Sequence, residues 1–296
     1  MKIVYSSRYE VALPGHIWPT SKYRLTAEAL RRSASVAEPG VTFVEPSPAA
    51  WEDLALVHTA EYLGKLRDGR MTAQDIATLE LPWVPELADA FRLMVGGTID
   101  AARAAIDDGA AAHLGGGLHH AFANHGEGFC PLNDVAVAVR VLQRERRIHT
   151  AAVVDLDVHH GNGTAMIFER DPAVFTFSMH QQHNYPAFKP RGDLDIGLDD
   201  GTGDERYLSL LATALPSALS GSPGIVFYLA GADPFEGDRL GGLRLTKTGL
   251  AARDRLVLDA ARRAGAPVVT VLAGGYAAAV EDTVDIHVAA IRALLA

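Results

Sequence analysis

The sequence predicts an α/β fold with a single doubly wound, mainly parallel sheet and helices on both faces. Short apolar or β-branched runs alternate with longer segments of helical periodicity along the chain. The strand-like runs are apolar over nearly their whole length, as strands are when helices cover both faces of a sheet. No repeat or Pro/Ser-rich linker divides the 296 residues. We therefore expect one domain over residues 1–296.

Seven short runs of mainly apolar or β-branched residues are predicted to be strands. In chain order they are residues 3–6, 41–44, 110–114, 151–155, 174–178, 225–230 and 267–272. Residues 79–85 and 180–203 are expected to be loops, and the second is rich in proline and glycine. A loop of that length in a compact domain is usually functional or mobile.

Eight segments are predicted to be helices, at residues 22–37, 51–57, 61–68, 85–108, 134–146, 205–219, 248–264 and 280–295. In the fourth, Leu87, Phe91, Met94 and Thr98 recur at helical spacing and form an apolar stripe. Asp134 precedes the fifth helix and is expected to cap it.

Composition excludes several classes of protein. The formal charge of −9 argues against a general nucleic-acid binder. No uninterrupted apolar run is long enough to span a membrane, and the first residues lack the apolar region of a secretory signal. Cys130 is the single cysteine, so no internal disulfide can form. We therefore expect a cytoplasmic protein; the sequence does not indicate its oligomeric state.

Chemically active residues follow five of the predicted strands. The segments are 115–120 (GGGLHH), 155–160 (DLDVHH), 178–180 (SMH), 230–233 (AGAD) and 273–276 (AGGY). In an open parallel sheet the carboxyl ends of the strands share one edge, and ligands bind there. We therefore expect these segments to build one site.

Three of these residues form a candidate metal site. Asp157 and His159 stand two apart, so on extended backbone they point to the same side, and Asp233 can add a third ligand. Two carboxylates, one imidazole and an open position suit a catalytic Zn²⁺ with a bound water. The Asp157–His159 pair alone fits a structural cluster equally well; Asp233 and His119–His120 at the same edge favour metal. Asp155 shares this side, as an outer-shell partner or a ligand to another cation.

His119 and His120 are candidates for proton transfer. One imidazole can take a proton from the metal-activated water and one can donate a proton to a leaving amine. Asp155 could hold one of them in its charged form. Tyr276 follows a Gly-Gly turn, and its hydroxyl could donate to a developing oxyanion. Taken alone, Tyr276 is better interpreted as an ordinary aromatic residue beside a turn.

The ordered motifs resemble the zinc-dependent histone deacetylase family. They are residues 57–63 (VHTAEYL), 116–121 (GGLHHA), 128–134 (GFCPLND), 155–161 (DLDVHHG), 231–234 (GADP), 237–241 (GDRLG) and 274–276 (GGY). Residues 160–163 (HGNG) and 236–243 (EGDRLGGL) look most like the class IV branch and its bacterial relatives.

The resemblance implies an arginase/deacetylase-type fold and hydrolysis of N-acyl-lysine amides on proteins or peptides. It implies zinc on Asp157, His159 and Asp233, with His119 and His120 handling protons and Tyr276 donating to the oxyanion. The resemblance also implies a structural potassium ion near Asp155, Asp157, His159, Ser178 and Met179. It further implies a substrate channel lined by Gly128, Phe129 and Gly274.

The chain departs from many relatives at Asn162, where they carry an aspartate that partners the second histidine. An amide cannot stabilise an imidazolium as a carboxylate does. We therefore expect His120 to stay neutral over a wider pH range than His119.

Three rival functions remain open at the level of sequence. The same zinc chemistry would serve a deacetylase of small acylated amines such as acetylpolyamines. A two-manganese ureohydrolase needs further bridging carboxylates, and Ala232-Asp233 supplies one where a pair is expected. A non-catalytic acyl-lysine-binding protein is disfavoured because the candidate metal and acid/base residues are all present.

Overall fold

The strands of the computed structural model, which describes residues 1–33 and 40–295, form one all-parallel sheet. The eight strands are β1 (Lys2–Val4), β2 (Thr42–Val44), β3 (Ala110–His113), β4 (Ala151–Asp155), β5 (Val174–Gln181), β6 (Leu194–Leu198), β7 (Val226–Leu229) and β8 (Val268–Val271). Their order across the sheet is β2-β1-β3-β8-β7-β4-β5-β6. This confirms the predicted parallel α/β fold.

Ten α-helices lie around the sheet in the described part of the chain. They are α1 (Ser21–Arg31), α2 (Trp51–Leu54), α3 (Ala60–Arg67), α4 (Ala73–Leu79), α5 (Pro85–Asp108), α6 (Asp134–Arg144), α7 (Asn162–Phe168), α8 (Asp204–Ala218), α9 (Lys247–Arg263) and α10 (Val280–Leu295). The predicted first helix, 22–37, is present as α1, and positions 34–37 of that prediction lie outside the described residues.

The prediction that 180–203 is a loop was wrong in part. Strand β5 continues to Gln181, and β6 occupies Leu194–Leu198 and pairs with it in parallel. Asp195 and Gly197 within β6 are residues that strands generally disfavour, which hid the strand in the sequence. As an edge strand, β6 is only half-buried at alternate positions until Leu198.

Two short helices were also missed. Helix α4 begins with a capping box in which the Thr72 hydroxyl and the Asp75 carboxylate satisfy each other's backbone N–H groups. Helix α7 spans seven residues and is largely buried, so it has no amphipathic periodicity to recognise.

The expected cap of α6 was wrong by one residue. Asn133, not Asp134, caps this helix, since its side chain accepts a hydrogen bond from the Ala136 N–H at 2.9 Å. Asp134 is buried instead, and its carboxylate accepts from the N–H groups of Gly117 and Leu118 at 3.0 and 2.7 Å. It thereby fixes the loop that carries the histidine pair.

The strand order positions the site. Strands β3, β8, β7, β4 and β5 are consecutive neighbours, and each precedes one of the five chemically active segments or contains it at its end. Because all are parallel, their carboxyl ends lie at one edge. Within the described residues, no helix has the length and apolar character that crossing a membrane would require.

Candidate metal centre and active site

The structure brings together the three predicted zinc ligands. Asp157, His159 and Asp233 offer ligand atoms that all lie within 4.8 Å of one another, and all three side chains are buried. Nδ1 of His159 lies 3.0 Å from Oδ1 of Asp157 and 3.4 Å from Oδ2 of Asp233. The turn after β4 and the turn after β7 supply these groups from adjacent strands.

Backbone donors orient both carboxylates. The Val158 N–H donates to Oδ1 of Asp233 at 2.9 Å, and the Gly274 N–H donates to Oδ2 of Asp157 at 2.7 Å. Oδ2 of Asp233 is buried with no hydrogen-bond partner among the described residues. A buried carboxylate oxygen without a partner is available to bind a metal ion. Together, the two carboxylates and the imidazole offer the oxygen and nitrogen ligands that Zn²⁺ binds in proteins.

The pKa shifts in the triad are those of a buried site that favours a bound cation. Burial and the neighbouring Asp157 raise the pKa of Asp233 to about 7. Burial alone would lower the pKa of His159, but Asp157 and Asp233 raise it to about 10. A positive charge between the two carboxylates, from the His159 imidazolium or from a bound cation, therefore offsets their mutual repulsion.

The predicted histidine pair has two different environments. Nδ1 of His119 lies 2.7 Å from Oδ2 of Asp155, and Nδ1 of His120 lies 2.7 Å from Oδ1 of Asn162. Burial opposes the charge on His119, but Asp155 and Asp157 raise its pKa to about 9. Burial, together with His119 and His159, holds the pKa of His120 well below its ordinary value. The hydrogen bond with Asn162 opposes this lowering of the His120 pKa but does not overcome it.

Tyr276 lines a cavity together with the histidine pair, Asp157 and His159, and its phenol stays protonated. Burial and the carboxylates of Asp157 and Asp233 hold its pKa well above the ordinary value, so the phenol is a hydrogen-bond donor at neutral pH. Asp238 fixes its backbone, because Oδ2 of Asp238 accepts from the Tyr276 N–H at 2.6 Å.

The sequence analysis missed Lys22, which supports this turn from α1. Lys22 is fully buried, and its ammonium donates to the carbonyl oxygen of Ala273 at 2.9 Å and approaches that of Gly275 at 3.5 Å. It also lies 5.3 Å from the centroid of the Tyr276 ring. A lysine on an otherwise apolar helix face in the sequence was the available signal.

The site opens into a cavity of about 160 Å³. Gly128, Phe129 and Gly274, the three residues predicted to contact substrate, all line it. Trp18 and Tyr185 line it too, and the Trp18 ring stacks on Phe129 with centroids 6.4 Å apart. The cavity therefore has aromatic walls above a polar floor, the lining typical of a small-ligand site.

Gly128 is needed because two side chains crowd it. Its φ is +50°, and a Cβ there would lie 2.8 Å from both the His120 ring and the Tyr185 ring. Phe129 also has a positive φ, +67°, and its N–H donates to the Leu79 carbonyl at 2.8 Å. This backbone conformation projects the Phe129 ring toward the cavity.

The residues implied for potassium come from β4, the turn after β4, and β5. Asp155 and Ser178 are register partners on β4 and β5, and Met179 follows Ser178 in the buried part of β5. Nearby, His160, His180 and Asp195 form a second cluster of ligand-type side chains. His160 Nε2 lies 3.3 Å from Asp195 Oδ1, and His180 Nδ1 lies 3.0 Å from the Ser178 hydroxyl, whereas His160 Nδ1 is buried with no hydrogen-bond partner among the described residues.

Comparison with known proteins identifies the family. The histone deacetylase domain family matches residues 16–291, which is nearly the whole chain. The chain belongs to the histone deacetylase family.

Individual relatives agree with this membership. Histone deacetylase 2 of Arabidopsis thaliana is 32% identical over 290 residues, covering 93% of this chain and 74% of that protein. An uncharacterized protein of Picosynechococcus sp. is 42% identical over 287 residues, covering 96% of this chain and 95% of the relative. The crystal structure of the HDA15 HD domain superposes with a TM-score of 0.80 at 26% identity, covering 99% of this chain and 87% of that one. The sheet described above is thus the histone deacetylase fold.

Proposed function

We propose that this protein is a zinc-dependent amidohydrolase that removes acyl groups from lysine side chains of proteins or peptides. One observation carries the proposal: Asp157, His159, the histidine pair and Tyr276 all border a single aromatic-walled cavity, and Asp233 lies beside Asp157 and His159. Family membership supports deacetylation as the reaction. The motifs at Asn162 and Asp238 favour the class IV-like bacterial branch.

Asp157, His159 and Asp233 would hold the zinc ion. The orphaned oxygen of Asp233 and the convergence of two carboxylates on one imidazole fit this metal. Zinc bound there would supply the Lewis acid for amide hydrolysis. The chain itself contributes proton transfer, orientation and the exclusion of bulk water.

His120 and His119 divide the proton transfers. His120 is neutral and donates through Nδ1 to Asn162, so its Nε2 carries the lone pair that accepts a proton from the attacking water. His119, held as the imidazolium by Asp155, supplies a proton to the departing amine. The Tyr276 hydroxyl donates to the oxyanion of the tetrahedral intermediate.

The potassium ion implied by the family has oxygen-bearing residues available. Asp155 and Ser178 lie side by side, and backbone carbonyls of Asp157, His159 and Met179 complete the proposed set. The ion would stabilise the segment from which both the triad and the Asp155–His119 contact are built.

A hydrolysis panel tests the proposed function. The zinc-loaded protein is assayed on lysine peptides acylated from acetyl to myristoyl and on acetylpolyamines, each with and without a chelator. We expect chelator-sensitive hydrolysis of at least one peptide. Hydrolysis of acetylpolyamines alone would instead show a small-molecule deacetylase, and peptide binding without hydrolysis would show a non-catalytic acyl-lysine-binding protein.

A further inference from the structure

Glu127, which the sequence analysis did not single out, lies behind the Asn162 amide. The Asn162 Nδ2 donates to Oε1 of Glu127 at 2.8 Å, while its Oδ1 faces His120 at 2.7 Å. Asn162 is buried, with 1% of its surface exposed, so it cannot turn to water. A continuous chain of hydrogen bonds thus runs from Glu127 through Asn162 to the proposed base.

The orientation of the Asn162 amide decides which nitrogen of His120 carries the proton. With Oδ1 toward His120, Nδ1 must donate, and Nε2 is left as the acceptor. With the amide flipped, Nδ2 would face Nδ1, the proton would move to Nε2, and the imidazole could not act as a base. An aspartate at this position would accept in either orientation, so the problem is specific to asparagine.

Two groups break this symmetry: Nε2 of the charged His119 lies 3.1 Å from Nε2 of His120 and favours an acceptor there, and Glu127 fixes the Asn162 amide from behind. Burial alone would raise the pKa of Glu127, but hydrogen bonds from His125, Asn162 and Tyr185 hold it below the ordinary value. The side chain is therefore a carboxylate that can only accept hydrogen bonds. Facing it, the Asn162 amide must present its NH₂ group, because a flipped amide would place an oxygen against the anion.

We propose that Glu127 is a positioning residue that fixes the Asn162 amide and, through it, the Nδ1–H tautomer of His120. The inference rests on the proposed function of His120 as the base. The Glu127 carboxylate does not contact His120 directly. It acts on His120 through the Asn162 amide, which lies between them.

Tyr185 ties this arrangement to the wall of the cavity. Its hydroxyl donates to the same Oε1 of Glu127 at 3.0 Å, and its ring lies edge-on to the His120 ring with centroids 5.0 Å apart. The carboxylate is therefore held by Asn162 and Tyr185 at Oε1 and by His125 at Oε2, and it cannot swing away from Asn162.

Variants at residues 127 and 162 test the proposal. Glu127→Leu removes the acceptor, whereas Glu127→Gln keeps an acceptor oxygen but adds an NH₂ group that also fits the flipped Asn162 amide. We expect kcat to fall about 10- to 100-fold in Glu127→Leu and by a smaller factor in Glu127→Gln, because part of the Asn162 population keeps the productive orientation. In the Asn162→Asp background, Glu127→Leu should cause little further loss, because a carboxylate needs no orienting partner.

The tautomer is read separately from activity. Side-chain ¹⁵N NMR of the zinc-loaded protein should show His120 protonated at Nδ1 in the wild type and a shift toward Nε2 protonation in Glu127→Leu. An unchanged tautomer in Glu127→Leu, or equal losses of activity in the Gln and Leu variants, would overturn the proposal. If the wild type hydrolyses no acyl-lysine peptide, the proposed function fails, while the NMR comparison still decides the role of Glu127.

Discussion

The Nε2 atoms of His119 and His120 lie 3.1 Å apart, although the two residues have opposite pKa shifts. Burial lowers the pKa of both histidines. The carboxylates of Asp155 and Asp157 overcome it at His119, whereas His120 faces the Asn162 amide and is lowered further by His119 and His159. A neutral imidazole beside an imidazolium gives one acceptor and one donor at neutral pH. In the proposed mechanism these adjacent histidines would therefore serve opposite proton transfers.

Asn162→Asp should raise the pKa of His120, because a carboxylate stabilises the imidazolium that the amide does not. The base must be neutral to accept a proton, so the acid limb of the pH–rate profile should move to higher pH by about one unit or more. The measurement is kcat/KM against pH for both zinc-loaded proteins. An unmoved profile would show that residue 162 does not set the protonation of His120.

Tyr276→Phe removes the proposed oxyanion donor and leaves the aromatic wall of the cavity. We expect kcat to fall roughly 10²-fold or more, with zinc content unchanged. Steady-state kinetics on an acetyl-lysine peptide and metal analysis of the same sample check this. Near-normal turnover would refute the role of the hydroxyl.

Lys22→Met should disturb the turn that carries Tyr276, since the lysine ammonium donates to the Ala273 carbonyl. A small displacement of the phenol predicts a loss of kcat of about 10- to 100-fold. Lys247→Met is the matched control, because Lys247 pairs with Asp282 and Asp285 on the surface. Equal activities of the two variants would mean that Lys22 does not support the site.

Gly274→Ala should weaken zinc binding. A Cβ at this position would overlap Oδ2 of Asp233 and lie 2.5 Å from Oδ2 of Asp157. We expect zinc affinity to fall at least about 10-fold, as measured by competition with a chelator. Gly221→Ala is the control, since a Cβ there meets nothing within 4 Å; wild-type affinity in Gly274→Ala would contradict the assigned ligands.

The fold should lose stability in mild acid through two buried histidines outside the metal triad. Burial lowers the pKa of His58 to about 4 and that of His113 to about 3. The unfolded chain binds protons at these sites below about pH 6.5, whereas the folded chain does not. The contribution of each histidine to stability is therefore fully present above pH 6.5. It is lost as the pH falls from 6.5 to about 4 for His58 and to about 3 for His113.

At pH 5 the expected loss is about 2 kcal/mol per histidine. Urea unfolding of the wild type and of His113→Gln at pH 7 and pH 5 measures it. The variant should lose less stability between the two pH values than the wild type does. Identical losses in both proteins would show that His113 is not the titrating group.

The sequence predicted the triad because its residues follow strands. Asp157, His159 and Asp233 each come just after an apolar run, and parallel strands deliver such residues to one edge. Tyr276 and the histidine pair follow by the same reasoning. Seven of the eight strands in the described part of the chain were predicted from short apolar or β-branched runs, which six of them owe to burial within the sheet.

The supporting residues could not be predicted in this way. Lys22 contacts a carbonyl 251 residues farther along the chain, and Glu127 reaches Asn162 across 35 residues. No local pattern encodes such contacts, because they depend on how α1 and the loops pack over the sheet. Strand β6 escaped prediction because its exposed Asp195 and Gly197 suit an edge and carry no apolar signal.

Metal analysis combined with hydrolysis tests the proposed metal centre most directly. The wild type and Asp233→Asn are loaded with zinc, freed of excess metal and assayed on an acetyl-lysine peptide before and after chelation. We expect one catalytic zinc per wild-type chain, activity that chelation abolishes and zinc restores, and loss of both zinc and activity in Asp233→Asn. Two transition-metal ions per chain would contradict the proposed single zinc centre. Full activity after complete removal of metal would contradict it as well.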